Sequence, residues 1–194
     1  MPESPVTAPP VPSRVPSGAT PGGDGVVVGD GPITVDVYID FLCPFCRRFE
    51  LSAGPALAAL VTEHRISLVY HPMNFLDQAS TTQYSTRSAA SSGCAADRDR
   101  FMDYAHALFV DQPPEGSAGL SDAELIAIGE SVGLGPAFAS CVSEGQYLDW
   151  PPFVTARALA AGVEATPTVL VAGVAVAAES EAIAAAVEQA SAQT

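Results

Sequence analysis

Two cysteines three positions apart, Cys43-Pro44-Phe45-Cys46, stand where a run of alternating apolar residues gives way to a helical pattern. A sulfur at the first turn of a helix lies beside amide hydrogens with no acceptor inside the helix, at the positive end of its dipole. Thiolate is favoured there over thiol, and the pKa falls from about 8.5 into the range of about 3.5–7.5. The partner at i+3 faces the same side, within disulfide reach. This placement predicts an exposed nucleophile at Cys43 and a more buried resolving thiol at Cys46, a pair suited to exchanging a disulfide with another protein. Two other readings of the motif are open. A zinc site would need a second ligand pair, and Cys94 and Cys141 lie far apart with no C-x-x-C or H-x-x-x-H companion. A purely structural staple would close too short a loop to restrain the unfolded chain much.

Few other residues suggest chemistry. Ala165-Thr166-Pro167-Thr168 precedes the last strands, and a proline there is by itself a strand-start residue. His64, His71 and His106 fall on different elements without ligand spacing and read as surface or strand-end residues. Phe138, Tyr147, Trp150 and Phe153 read as core aromatics rather than a cofactor box, and there is no glycine-rich phosphate loop. No metal and no cofactor is expected.

The elements that must position the cysteines follow from periodicity. Ile33 to Phe41 alternates as a half-buried strand, with Val26-Val28 as a possible edge strand before it. A helix from Cys43 to about His64 should kink at Gly54-Pro55, where an amide hydrogen is missing. Ile66 to Tyr70 is a second strand. From about 78 to 161 the chain reads as helical: Phe101, Tyr104, Ala105 and Leu108 recur at helical spacing, and Ser121 and Glu124 form a capping box. Pro151 and Pro152 are tolerable only near the first turn of a helix from Tyr147 to Ala161. Val169–Val171 and Val174–Val176 flank a glycine turn, and an alanine-rich helix closes the chain. Residues 1–24, dense in proline, serine, threonine and glycine, read as an extended, disordered linker.

Composition sets bounds. The 194 residues carry 8 basic groups, all arginine, against 22 acids, a net charge of −14. Nucleic acid, which needs a basic footprint, is excluded as a partner. At 48% hydrophobic and 15% charged the chain can bury a substantial core. Its most apolar run, Pro167 to Ala178, is too short to span about 30 Å of hydrocarbon. Met1-Pro2-Glu3 lacks the basic start of an export signal, which leaves a cytosolic chain or a mature one whose targeting segment has been removed.

Taken together, the motifs resemble the thioredoxin-fold thiol-disulfide oxidoreductases, specifically the DsbA-like branch with a helical insertion. The matching residues are Tyr38-Ile39-Asp40-Phe41-Leu42, Cys43-Pro44-Phe45-Cys46, Phe49-Glu50 and Thr166-Pro167, and the likeness runs over about residues 30–190. It implies an α/β fold with a thioredoxin-like mixed sheet flanked by helices, built from 25–77 and 162–194, with an all-helical insertion at 78–161. It implies a cis Pro167 packed against the active-site pair, with Thr166 binding an extended substrate as an added strand and Pro44 and Phe45 beside it. It also implies reduced exported proteins as substrates and a membrane reoxidant of the DsbB or vitamin K epoxide reductase type. No dimerisation segment is visible ahead of the fold, so a monomer is expected.

Three residues depart from the pattern. Phe45 replaces the histidine of the best-known member and cannot pair with a thiolate, so a less extreme oxidant is expected. Val37 occupies the strand position where relatives often bury a proton-shuttling acid; Asp40 or Glu50 would serve instead, unless both are solvated or salt-bridged surface acids. Thr166 is frequent among isomerases and reductases, which leaves the direction open between oxidase, reductase and isomerase. A reading of a different class is a peptide-binding module whose Cys43-Cys46 bond is only structural. Cys94 and Cys141 are either two buried free cysteines or a disulfide pinning two helices. The disulfide would stabilise by at most about 4 kcal/mol, and because it persists only in an oxidising space it would argue for an exported protein.

Overall fold

The computed structural model describes residues 11–193. Five strands form one mixed sheet: β1 (Val26–Val28), β2 (Ile33–Ile39), β3 (Ile66–Pro72), β4 (Thr168–Val171) and β5 (Val174–Val176), in the order β1-β3-β2-β4-β5. The central strand β2 runs parallel to β3 and antiparallel to β4. A parallel pair needs a crossover, and helix α1 (Pro44–Thr62) supplies it. Val35, Val37 and Ile39 are fully buried on one face of β2. Alternation sends Asp36 and Tyr38 to the other face, where Tyr38 stacks on His71. Ala172 and Gly173 both take positive φ between β4 and β5, the conformation of a two-residue hairpin turn.

Between β3 and β4 lie a 3-10 turn (Asp77–Ala79) and five α-helices: α2 (Tyr84–Ala96), α3 (Phe101–Val110), α4 (Asp122–Ser131), α5 (Pro136–Ser143) and α6 (Trp150–Ala160). Helix α2 is buried almost throughout, an unusual site for Ser88, Ser91 and Ser92. Each hydroxyl donates to a carbonyl one turn earlier in α2, so none is left without a partner. Cys94 of α2 and Cys141 of α5 are joined by a disulfide. The Ser121 capping box opens α4 with both of its bonds made, and the two prolines of α6 sit in its first turn. The last helix, α7 (Ser180–Ser191), packs Ile183 and Val187 into the core beside α1.

Pro55 lies inside α1, which runs unbroken to Thr62; Leu51, whose carbonyl loses its partner at Pro55, is on the exposed face where water can satisfy it. One expectation changes. The linker expected over 1–24 is a packed strap over its described part, 11–24, the first ten residues lying outside the described range. Ser13 and Ser17 donate their amides to Asp149 and Asp97, Trp150 Nε1 donates to the Gly23 carbonyl at 2.7 Å, and Ala19 bridges to Val26. The strap has few apolar side chains of its own. Its backbone is held by polar groups of the helical block, which segment composition does not reveal.

Candidate active site

At the carboxyl end of β2 the chain turns through Asp40-Phe41-Leu42 into α1. Cys43 caps the helix with extended backbone (φ −72°, ψ 118°), and Pro44 at the first helical position has no amide hydrogen to leave unpaired. Cys46 follows one turn later and is fully buried. Cys43 itself is only 4% exposed, less open than its expected role suggests, because the loop before β4 lies against it: the sulfur is 3.4 Å from the Thr166 carbonyl oxygen, and the Thr166-Pro167 peptide is cis. The open residues of the motif are Pro44 and Phe45, the latter 60% exposed, with the Arg48 guanidinium 5.0 Å over its ring.

The two sulfurs are free, and their surroundings push them apart. A hydrogen bond from Cys46 is the largest influence on Cys43; burial opposes it, and Thr166 with the Cys46 and Phe45 amides supports it, bringing the pKa down to about 6. Burial drives Cys46 well above the ordinary thiol range, and its bond to Cys43 adds to that. One sulfur is thus stabilised as a thiolate and the other as a thiol. In electrostatic character that is the division expected of a nucleophile and its resolving partner.

Of the two candidate acids, the structure brings Asp40 to the cysteines. It is fully buried, and its amide donates to Cys46 Sγ at 3.5 Å. Its carboxylate accepts from the Leu42 amide at 2.8 Å, the Leu76 amide at 2.8 Å and Ser85 Oγ at 2.7 Å. Burial outweighs those bonds and raises its pKa to about 6, with a further push from Cys43. Glu50 is also buried, and burial raises its pKa, but its carboxylate turns to His106 Nδ1 at 3.4 Å. Val37 is buried among apolar neighbours in the middle of the sheet.

Sequence reasoning missed two participants. Ser85 is the hydroxyl that fixes Asp40, and Gln112 donates from Nε2 to the carbonyls of Phe41 at 2.9 Å and Cys43 at 3.0 Å. Neither carries a local signal: Ser85 is one of several serines on α2, and Gln112 follows Asp111 in a short polar stretch before Pro113-Pro114.

Comparison with known proteins gives the same picture. The family profile described as Thioredoxin matches residues 23–189. The solved structure of reduced DsbA from Mycobacterium tuberculosis is 33% identical, with 78% of this chain and 84% of that chain covered and a TM-score of 0.70. The disulfide bond oxidoreductase DsbG of the same organism is 34% identical over 79% and 80%, also at 0.70. BdbD from Bacillus subtilis, at 20% identity and a TM-score of 0.74 over 90% and 96%, shares the fold. Among curated sequences, serine/threonine-protein kinase PknE of M. tuberculosis is 36% identical over 131 residues, 63% of this chain. The chain spans only 23% of that kinase's length.

Proposed function

The chain belongs to the thioredoxin family and is a DsbA-like thiol-disulfide oxidoreductase; from that premise we propose that it donates a Cys43-Cys46 disulfide to newly exported proteins. The observation that carries this reading is the placement of the two sulfurs, Cys43 at the start of α1 against the cis Thr166-Pro167 loop and Cys46 buried one turn on, which lowers the Cys43 pKa to about 6 and raises that of Cys46. Stabilising the Cys43 thiolate stabilises the reduced pair, which makes the disulfide the stronger oxidant.

A substrate thiolate attacks Cys43 Sγ, the Cys43-Cys46 bond breaks, and Cys46 leaves with the electron pair and takes up a proton. The second substrate thiolate attacks its own partner sulfur and expels Cys43 as a thiolate. The substrate gains a disulfide and loses two electrons, which the protein holds as two reduced sulfurs. We assign the supply of that proton, and its recovery on reoxidation, to Asp40, the buried acid whose main-chain amide touches Cys46 Sγ. Glu50, turned toward His106, is the less direct candidate. The exposed Phe45, with Pro44, Thr166 and Pro167 around Cys43, offers an apolar seat and a backbone carbonyl to an extended peptide.

Continued turnover needs an acceptor for those two electrons, and a membrane reoxidant of the DsbB or vitamin K epoxide reductase type fits. The place of work is the periplasm or cell envelope, supported by the Cys94-Cys141 disulfide, which a reducing cytosol would not preserve. Among the described residues no helix is long and apolar enough to cross a membrane. A membrane tether through a segment ahead of the fold fits that place of work.

The test is to mix the oxidised protein with a dithiol peptide and follow both disulfides. Wild type should close the peptide and open its own pair, and Cys43→Ser should not. A Cys43→Ser variant as effective as wild type would leave only the peptide-binding reading. Equilibration with glutathione fixes direction: a potential above about −200 mV supports donation, whereas about −270 mV, that of thioredoxin, identifies a reductase.

A further inference from the structure

We infer that Gln112 is a positioning residue through which the helical block fixes the turn that aims Cys43 Sγ at the amides opening α1. The inference rests on the reading of Cys43 as the reacting sulfur.

The turn is gripped from two sides. On one, Asp40 takes its amides: Leu42 N donates to the carboxylate and Cys43 N to the Asp40 carbonyl at 3.0 Å. On the other, the single Gln112 amide nitrogen has two hydrogens, and its acceptors are the carbonyls on either side of Leu42, at 2.9 and 3.0 Å. The Cys43 carbonyl also receives the Arg47 amide at 3.1 Å, the first hydrogen bond of α1, so Gln112 grips the helix at its start. Gln112 lies two residues past the end of α3 and directly before Pro113-Pro114, whose rings limit the backbone freedom of this stretch. The end of α3 is in turn held to α1 by Arg47 Nε, which donates to the Phe109 carbonyl at 2.8 Å, and by the Phe41 and Phe109 rings, 5.0 Å apart. Gln112 is partly buried, so water can replace its bonds when it is lost. Its removal should therefore loosen the direction of the sulfur more than the stability of the fold.

Gln112→Met keeps the side chain's length without a donor, and Gln112→Glu keeps its shape but puts acceptors where the donors were. Both are compared with wild type in the full chain by thiolate absorbance against pH and by glutathione equilibration. Loss of one or two hydrogen bonds of ordinary strength corresponds to about three- to tenfold. The Cys43 midpoint should thus rise by roughly half to one pH unit, and the equilibrium should move about three- to tenfold toward the oxidised protein, with the larger change in Gln112→Glu. Should Gln112→Glu fail to fold, Gln112→Met gives the same two readings. An active wild type with both readings unmoved in a folded Gln112→Met overturns the positioning role alone. A wild type that oxidises no dithiol, with the midpoint still moved by Gln112→Met, overturns the functional reading and sustains the positioning role.

Discussion

Cys43 and Cys46 carry the same thiol one helical turn apart, and backbone direction and depth make them different acids. The pH dependence of stability should show it. Cys43 has its pKa lowered from 9.0 to about 6 in the folded chain, so its contribution is present above about pH 9 and lost as pH falls through about 6. Asp40 has the opposite sign: raised from 3.8 to about 6, it contributes most below about pH 4 and loses that contribution as pH rises through 6. The first effect needs a free Cys43, whereas the second rests chiefly on burial and is only augmented by Cys43. The melting temperature of the reduced protein relative to the oxidised one should therefore climb between pH 6 and 8.5; a flat difference would contradict the assignment of the low-pKa sulfur. Asp40→Asn should slow the opening of the Cys43-Cys46 bond by about ten- to a hundredfold at pH 7 in stopped-flow mixing. Alkylation of Cys43 in the same variant should stay within about threefold of wild type, which a general loss of structure would not allow.

What was legible at this scale was the cysteine pair, because the change of period from strand to helix happens at Cys43 and a proline marks the first helical position. The choice between Asp40 and Glu50 was not. It depends on Ser85, 45 positions away, and on which way each carboxylate turns after folding. Gln112 reaches carbonyls 69 and 71 positions back.

Among the elements, β2 and α1 place the site, and the helical block holds it from the other side. The alternation of β2, the capping box of α4 and the prolines opening α6 could all be read locally, since each is set by neighbours within one turn or one strand. The strap at 11–24 could not, because its partners Asp149, Gln146 and Asp97 lie 136, 132 and 80 positions away in the helical block. Deletion through Asp24 should accordingly lower the melting temperature by several degrees, and Trp150→Phe, which loses the bond to Gly23, should account for a measurable part of it. An unchanged melting temperature on deletion would return the segment to a linker. The Cys94-Cys141 bond ties α2 to α5 across a separation of 47 residues. Replacing both by alanine should cost about 2–4 kcal/mol, about 4–16 °C for a chain of this size. Dithiol oxidation by Cys43 should survive that replacement wherever the variant is folded.

For the whole molecule, the sheet and the helical block share one continuous core, which runs from β2 and α1 through Tyr104, Phe138 and Trp150. The net charge of −14 bears on solubility, not on the chemistry, which sits where few charges reach. Everything assigned to the chain depends on one asymmetry at the end of β2. It is measured most directly by labelling the fully reduced protein with iodoacetamide across pH and locating the modified residue by mass spectrometry. The account expects Cys43 to react with a midpoint near pH 6 while Cys46 stays unlabelled through neutral pH. A Cys43 midpoint of about 8 or above, that of an ordinary thiol, would contradict it.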